Sequence, residues 1–170
     1  MKRKCCIRTP LGEMTALLEQ GGLRELRFVG QKYAHEDTGQ WREDPHHPVF
    51  VALRGQLDAY FAGQPCAFDL PLDPRGTEFQ LAVWSLLRAI PAGTTTTYGA
   101  LARLVAGQRE GRIPSAQAVG GAVGHNPIAI IIPCHRVVGA DGSLTGYAGG
   151  LDRKAALLTL EKVQGLSLRV

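Results

Sequence analysis

The chain has 170 residues and a net charge of +4; 45% of its residues are hydrophobic and 20% are charged. This balance is ordinary for a globular protein of one or two domains and excludes a largely disordered chain. No apolar run approaches the roughly 20 residues of a membrane helix, and the basic start at 1–7 lacks the apolar stretch of a signal peptide. We therefore expect a cytoplasmic protein with no membrane association, whose four cysteines are thiols.

The basic excess is concentrated in the middle of the sequence. Residues 1–75 hold equal numbers of acidic and basic side chains, whereas residues 76–140 hold five arginines against two glutamates. A weak positive field of this kind fits a polyanionic partner. Random scatter of charge explains the distribution equally well, so the charge pattern alone does not decide the function.

Short alternating segments dominate the first third of the chain. Residues 31–48 are polar, include His35 and predict a loop, and the apolar stripe of Val49–Ala62 predicts a helix. Turn residues separate three segments before that loop, which predicts a small antiparallel meander of strands at Lys4–Thr9, Thr15–Glu19 and Leu23–Val29.

The rest of the chain is mainly helical. Its character changes near residue 72, so we predict an N-terminal α/β domain at 1–72 and a second domain at 73–170. A basic connection at 107–112 joins the second and third of its helices, which together predict a helix-turn-helix. Asp152 is the expected N-cap of the last helix. Apolar spacing predicts the four helices at Thr77–Ala89, Thr97–Val105, Ser115–Val123 and Asp152–Val163.

A cysteine flanked by proline and histidine follows an unusually apolar run. Residues 128–138 predict a buried strand or core segment that carries Cys134 next to His135. Burial disfavours a thiolate, so a buried thiol is normally inert unless a base lies beside it. The side chains of sequence neighbours point apart, which makes a bridging water a simpler relay than direct contact. A structural cysteine beside a solvent-facing histidine is the simpler explanation of this pair taken alone.

An acidic residue in the last predicted helix is a candidate partner for that histidine. Glu161 follows Leu157 by four residues and Leu158 by three, so it lies on an apolar helix face. A buried carboxylate needs a partner, and a histidine paired with it gains a defined tautomer and greater basicity. The alternative is an exposed glutamate paired with Lys154 or Lys162.

Two glycine-rich segments flank the cysteine. Each glycine inside the predicted helix 115–123 costs about 1 kcal/mol relative to alanine. Such a cost indicates close approach of another backbone, either a neighbouring helix or nucleic acid in a minor groove about 6 Å wide. The loop at 141–150 lacks the Gly-Lys-Ser/Thr ending of a phosphate-binding loop. It is either the wall of a flat pocket for a base or a plain surface turn.

Together these residues resemble the O6-alkylguanine-DNA alkyltransferase family, the methylated-DNA–protein-cysteine methyltransferases. The resemblance covers nearly the whole chain, is strongest over 76–162, and depends most on Ile-Pro-Cys-His-Arg-Val-Val at 132–138 followed by Gly-Tyr-Ala-Gly-Gly at 146–150. It implies an α+β fold, in which a small antiparallel sheet with a helix forms a ribonuclease H-like N-terminal domain. A mainly helical C-terminal domain with the helix-turn-helix completes that fold.

The resemblance also implies a function, which is repair of double-stranded DNA containing O6-alkylguanine. The alkyl group moves once, without a cofactor, to Cys134 of a monomer. Glu161, His135 and a water would keep Cys134 ionised, Asn126 would buttress the active-site turn, and Tyr98 would contact the departing base and help to protonate it. The target carbon is inaccessible inside a duplex, so the base must flip out.

The remaining implied roles concern recognition. The carbonyls of Cys134 and Val137 would read the exocyclic amine of guanine, and backbone N–H groups of Tyr147 and Ala148 would reach its oxygen. Gly146 and Ala148 match the small pocket residues. The small-residue helix would lie in the minor groove, and the expected DNA-binding residues are Ser115, Ala116, Gln117, Gly120, Gly121 and Arg112.

The sequence departs from the family pattern at two places. Many members carry arginine where this chain has Gln117, and that arginine fills the gap left by the flipped base. Glutamine is shorter and uncharged, so we expect retained activity with weaker DNA affinity. The connection at 107–114 is also longer than usual, and its basic residues are candidates for phosphate contact.

A structural zinc, which some family members bind in the N-terminal domain, is not expected here. The available side chains do not form a compact ligand spacing: Cys5, Cys6, Cys66, His46 and His47.

Two other classes of protein compete with repair. A non-catalytic sensor of alkylated DNA, like the family's alkyltransferase-like proteins, would carry tryptophan in place of Cys134. A thiol oxidoreductase would usually show a C-x-x-C motif, which is absent, and a cysteine hydrolase would need an oxyanion hole and turnover.

Overall fold

A computed structural model describes residues 1–34 and 39–164, so the expected loop position of His35 lies outside the described residues. The chain divides into two compact units. Unit 1 comprises Met1–Arg75 together with Pro127–Ala129, and unit 2 comprises Gly76–Asn126 and the residues from Ile130 onward. The return of 127–129 to unit 1 is a long-range feature that the sequence analysis does not predict.

Unit 1 is built on a four-stranded sheet of order β3-β2-β1-β4. Strands β1 (Lys2–Thr9), β2 (Gly12–Glu19) and β3 (Gly22–Phe28) pair antiparallel, which confirms the predicted meander. Gln20 and Gly21 join β2 to β3 with φ values of 52° and 81°. Two successive positive φ values match the twist of a tight hairpin turn.

The loop prediction for 31–48 is wrong at three of its described residues: Arg42 and Glu43, which form a strand, and Pro48, which begins a helix. Arg42–Glu43 form β4, which pairs parallel with β1. Main-chain hydrogen bonds hold this short edge strand, and Asp44 N donates to Lys4 O at 3.0 Å. Because both β4 residues are exposed, β4 carries no alternating apolar pattern that a sequence could reveal.

Helix α1 (Pro48–Phe61) buries Phe50, Leu53 and Leu57 in unit 1, where inward strand residues such as Met14 and Phe28 are also buried. Two segments pair with β3. The residues around Leu72 bond to Leu23, and 127–129 bond to Leu26 through Leu26 N to Pro127 O and Ala129 N to Leu26 O, both 2.9 Å. Pairing of this kind satisfies the main-chain groups of an edge strand.

As far as residue 164, unit 2 contains four helices, a turn of 3-10 helix and a parallel pair of short strands. Thr77 caps the first helix in a capping box with Gln80, and Trp84 Nε1 donates to Ala122 O at 2.8 Å, joining the first and third of these helices. The elements are α2 (Glu78–Arg88), β5 (Thr96–Thr97), α3 (Tyr98–Arg109), α4 (Ala116–Gly124), the 3-10 turn Cys134–Arg136, β6 (Val137–Val138) and α5 (Leu151–Leu160). Together with the sheet of unit 1 they confirm the predicted α+β class.

The structure corrects three local predictions in unit 2. Helix α3 continues to Arg109 and ends where Glu110 adopts a left-handed φ of 49°, so it occupies part of the predicted connection. The cap of α5 is Gly150 at φ 97°, and Asp152 lies in the first turn instead. Helix α5 ends at Leu160 rather than at Val163, so Glu161 is its C-cap residue and does not lie within the helix. The apolar run 128–132 is buried or half-buried and forms mainly turns, so of the two predicted alternatives it is a core segment and not a strand.

None of the helices in the described ranges has both the length and the apolar character needed to cross a bilayer.

Gly76 lies where the two units divide, and a side chain there is expected to destabilise unit 2. A Cβ atom at this position would lie 2.6 Å from Trp84 Cη2 and 2.6 Å from Gln80 Oε1, the capping-box atom. Gly76→Ala should therefore lower the free energy of unfolding by about 1–3 kcal/mol, measured by denaturant titration. Gly107→Ala is the matched control, because a Cβ there meets nothing within 4 Å, and it should raise stability by up to about 1 kcal/mol. Equal stability of both variants would contradict the packing argument.

Candidate active site

The turn that carries Cys134 is held by a buried amide. Asn126 is 3% exposed, and its Nδ2 donates to the carbonyl of Ile132 at 2.7 Å. Within this turn Ile130 has a φ of 71°, a left-handed conformation that is unfavourable for a β-branched residue. Cys134 N then donates to Ile132 O at 2.8 Å. The left-handed residue and its amide support explain why this core segment turns instead of extending as a strand.

Cys134 begins the 3-10 turn, and His135 is the next residue in it. Cys134 is buried and His135 has no exposed surface. All four cysteines lie in the described ranges and are thiols rather than disulfides. In a 3-10 helix, neighbouring side chains point about a third of a turn apart. The geometry therefore suits a relay between the thiol and the imidazole better than a direct bond.

His135, Arg136 and Glu161 form a buried charged network. His135 Nε2 lies 2.7 Å from Glu161 Oε1, and Arg136 donates to both carboxylate oxygens, from Nε at 2.9 Å and from Nη2 at 2.7 Å. The Glu161 side chain is 2% exposed, so the alternative of a solvent-exposed glutamate does not describe this structure. Arg136 Nη1 also donates to Ile90 O at 2.6 Å. This two-pronged contact with arginine compensates the charge of the buried carboxylate.

The network assigns the proton on His135. Burial lowers the pKa of His135 below 6.5, and the contact with Glu161 opposes this shift only in part. The ring is therefore neutral near pH 7. A carboxylate only accepts hydrogen bonds, so Nε2 carries the proton and Nδ1 carries the lone pair. Nδ1 is buried and has no hydrogen-bond partner in the described part of the chain, which leaves it available as a base.

Tyr98 contacts the loop that follows the cysteine. It is the first residue of α3, whose cap Thr97 accepts from Ala100 N, and its Oη donates to Thr145 O at 2.9 Å. Burial raises the pKa of Tyr98 above 10, and the field of Cys134 raises it further. The phenol is therefore protonated at neutral pH and electrostatically coupled to Cys134.

Lys154 is a buried residue of this site that the sequence analysis names only as a possible partner of Glu161. It has no exposed surface, and its Nζ donates to Thr145 O and Gly146 O, each at 3.1 Å. Burial lowers the pKa of Lys154 to about 8, against the opposing field of Cys134. The burial of Lys154 could have been predicted, because Lys154 follows Leu151 by three residues and precedes Leu158 by four. This spacing places it within the apolar stripe of the helix. No comparable spacing in the sequence predicted the burial of Arg136.

The expected base-binding residues differ in exposure. Gly146 is exposed and has a φ of 59°, a left-handed conformation that favours glycine, while Tyr147 and Ala148 are half-buried. Val137 is fully buried within the β5–β6 pair, and its N–H donates to the carbonyl of Cys134. Among the expected base-binding residues, those of the loop 146–148 are therefore more accessible than Val137.

The expected DNA-binding residues lie along one exposed side of α4 and its approach. Ser115 caps the helix by accepting from Ala118 N at 3.0 Å, while Val119 is buried on the opposite side. A Cβ at Gly120 would contact the Tyr98 ring, whereas one at Gly121 would meet nothing within 4 Å among the described residues. The exposed positions are Arg112, Ser115, Ala116, Gln117 and Gly121. Close approach of a neighbouring helix therefore does not explain why position 121 holds a glycine.

Residues 1–34 and 39–164 hold no group of three or more His, Cys, Asp or Glu side chains that could bind a metal ion.

Comparison with known proteins assigns both units to one family. The family models described as the 6-O-methylguanine DNA methyltransferase DNA binding domain and ribonuclease-like domain match residues 78–163 and 3–74. The methylated-DNA–protein-cysteine methyltransferase of Mycolicibacterium paratuberculosis is 49% identical over 91% of this chain and 88% of its own length. The Methanosarcina acetivorans protein of the same name is 45% identical over 90% of this chain and 94% of its own.

Solved structures agree with the sequence relatives. The crystal structure of Mycobacterium tuberculosis OGT in complex with DNA matches with a TM-score of 0.84 and 46% identity, covering 94% of this chain and 92% of that one. A Pyrococcus kodakaraensis O6-methylguanine-DNA methyltransferase, at 22% identity and a TM-score of 0.54, shares the fold. With two family models across the chain and relatives near 50% identity, this chain belongs to the methylated-DNA–protein-cysteine methyltransferase family.

Proposed function

We propose that this protein repairs duplex DNA by transferring the alkyl group of O6-alkylguanine to Cys134 Sγ, once per molecule. The observation that carries the proposal is the buried contact of 2.7 Å between His135 and Glu161 beside Cys134. It orients a neutral imidazole whose Nδ1 lone pair is available to take a proton. A thiolate prepared in this way is a strong nucleophile even in apolar surroundings.

The chemistry balances without a cofactor. The thiol proton passes through a water to His135 Nδ1, and Cys134 Sγ attacks the alkyl carbon in line with the bond to guanine O6. The carbon–sulfur bond forms as the carbon–oxygen bond breaks, and the electron pair of that bond stays with guanine. Tyr98, protonated at neutral pH, donates a proton to the departing base, and the proton taken up by His135 returns to the phenol through water, so that both side chains end neutral. The thioether product is stable, so the protein is consumed.

Recognition of the lesion uses the loop and α4. The target base flips out of the stack, because its O6-alkyl carbon is otherwise out of reach. Backbone N–H groups of Tyr147 and Ala148 then bind the guanine oxygen beside the small residue Gly146, and the carbonyls of Cys134 and Val137 take the exocyclic amine. The exposed small residues of α4 permit close approach to the minor groove.

The proposal assigns these tasks to different parts of one monomer. Residues 73–170 carry DNA binding and the alkyl acceptor, and residues 1–72 form the N-terminal domain. The charged network, Tyr98 and the loop all belong to unit 2. No second copy of the chain is needed to complete the site.

Stoichiometry tests the proposal directly. The protein is mixed with a duplex bearing O6-[³H-methyl]guanine, and label is counted on the peptide that contains Cys134. We expect one label per molecule, no label in Cys134→Ser, and unmodified guanine in the DNA. Binding without label would identify a non-catalytic sensor, and repeated turnover would identify a hydrolase. Either result would overturn the proposal.

The glutamine on α4 leads to a separate prediction about affinity. Gln117 is exposed near the N-terminus of α4, at the position where the family resemblance implies an arginine. Gln117→Arg should bind duplex DNA about threefold to tenfold more tightly, because it adds a cation next to the phosphates. The measurement is fluorescence anisotropy at two salt concentrations, with Gln64→Arg, an exposed position in unit 1, as the control for added charge alone. Equal affinity of wild type and Gln117→Arg would remove the prediction.

A further inference from the structure

Lys154 is buried in α5 and has no task in the mechanism above. It shares a helix face with Leu151 and Leu158, which pack in the cluster around Val138 and Leu144. An ammonium group in such surroundings loses its hydration and needs acceptors. The structure supplies two, the main-chain carbonyls of Thr145 and Gly146, each 3.1 Å from Nζ.

These acceptors belong to the loop proposed to bind the base. Thr145 O also accepts from Tyr98 Oη at 2.9 Å, so side chains from α3 and α5 converge on one carbonyl. The next carbonyl belongs to Gly146, whose own φ of 59° is left-handed. Glycine alone leaves this backbone permissive, and the contacts with Lys154 select one arrangement from those available.

The planarity of the peptide bond transmits this contact to the base. The carbonyl of Gly146 and the N–H of Tyr147 belong to the same planar trans unit and point in opposite directions. Holding the carbonyl oxygen against Nζ therefore fixes the direction of the Tyr147 N–H. A misdirected N–H would lose its hydrogen bond to the substrate, and small errors of position are costly to reaction rates.

We propose that Lys154 is a positioning residue that clamps the loop 145–148, so that the Tyr147 N–H is directed at the oxygen of the flipped base. The inference rests on the proposed function for the role of that N–H. The clamp itself is a property of the protein without DNA and can be measured separately.

Stability gives no reason for a lysine at this position. Burial lowers the pKa of Lys154 to about 8, so at neutral pH the fold carries the cost of a charged group out of water. Methionine has a similar length and would fill the same apolar space without that cost. Thr145 O would keep a second donor without the lysine, because it also accepts from Tyr98 Oη.

The test compares Lys154→Met with wild type. Lys162→Met is the matched control, because Lys162 is an exposed lysine just beyond the same helix. We expect single-turnover transfer from O6-methylguanine duplex to slow about tenfold or more in Lys154→Met. Hydrogen exchange at the Tyr147 and Ala148 amides should accelerate, while the melting temperature should stay equal or rise. The control should match wild type in all three measurements.

A third variant and a small electrophile separate the clamp from a purely electrostatic effect on the thiol. Lys154→Gln keeps an N–H donor without charge, so the clamp predicts faster transfer than in Lys154→Met. Both variants remove the positive charge that interacts with Cys134, so the pH profile of Cys134 alkylation by iodoacetamide, followed on its peptide, should shift equally in both, and their difference in transfer rate isolates the clamp. A shifted profile with unchanged loop exchange would overturn the clamp, as would unfolding of Lys154→Met or unchanged transfer. If wild type transfers no alkyl group, the proposed function fails, and the exchange result still decides the clamp.

Discussion

Replacing Glu161 by glutamine is expected to slow alkyl transfer by about 100-fold or more and to lower the free energy of unfolding by roughly 3 kcal/mol. Glutamine keeps the shape of the side chain and removes its charge. Arg136, which donates to both carboxylate oxygens, would then be left as an uncompensated cation in a mostly buried site. His135 would lose the carboxylate that holds the proton on Nε2 and stabilises the protonated ring. Single-turnover kinetics and denaturant titration measure the two effects.

A double variant separates the catalytic effect from the structural one. Glu161→Met combined with Arg136→Met removes both charges, and buried ion pairs replaced by apolar residues often regain the lost stability. We expect the double variant to be more stable than Glu161→Gln and still slow in transfer. Glu78→Gln, an exposed change in the first turn of α2, controls for loss of an acidic group and should react at the wild-type rate. Wild-type transfer by Glu161→Gln would show that the activation of Cys134 has been assigned wrongly.

The stability contributed by Lys154 is expected to increase by up to about 3 kcal/mol as the pH rises from 8 to 10.5. The pKa of this group is about 8 in the folded protein and 10.5 in the unfolded chain. Below pH 8 both states hold the proton, and the whole cost of burying the charge is present. Between the two values the folded state releases the proton while the unfolded state retains it, so the fold becomes more stable. Above the upper value the effect is complete.

Other groups also titrate in this range, so the measurement is a difference. Free energies of unfolding are determined for wild type and Lys154→Met across the pH range. The free energy of wild type relative to that of the variant should increase as the pH rises. The free energy of unfolding of Lys162→Met should depend on pH in the same way as that of wild type, because an exposed lysine has no comparable burial cost. A constant difference between wild type and Lys154→Met would show that Lys154 keeps an ordinary pKa in the fold.

Local sequence signals predicted most elements within a residue or two. The α2 helix illustrates why, since Thr77 and Gln80 form their capping box within one turn and the apolar spacing of Val83, Trp84 and Leu87 matches the buried face. Errors arose where local signals were absent or misleading. Nothing in Arg42–Glu43 indicates a strand, and Asp152 is a good capping residue that stands two positions too late.

The apolar run before Cys134 shows the limit of periodicity. Its composition predicts burial correctly, but a run that is apolar throughout does not distinguish a strand from packed turns. Here the Asn126 side chain binds the Ile132 carbonyl, and Ile130 adopts a left-handed φ, so the backbone turns instead of extending. Pairing of 127–129 with β3 across about a hundred residues of sequence is likewise invisible to a local pattern.

For this protein, the sequence and the family resemblance that it carries predicted the α+β class, Cys134 as the nucleophile and Glu161 as the partner of His135. Those features depend on residue type and on spacing within a few turns. Only the tertiary structure decided that Arg136 shares the same carboxylate, that Lys154 and Tyr98 meet at the Thr145 carbonyl, and that the run before Cys134 is a turn. Such contacts join residues that are distant in the chain, and the competition among buried polar groups for partners settles them only once the core is packed.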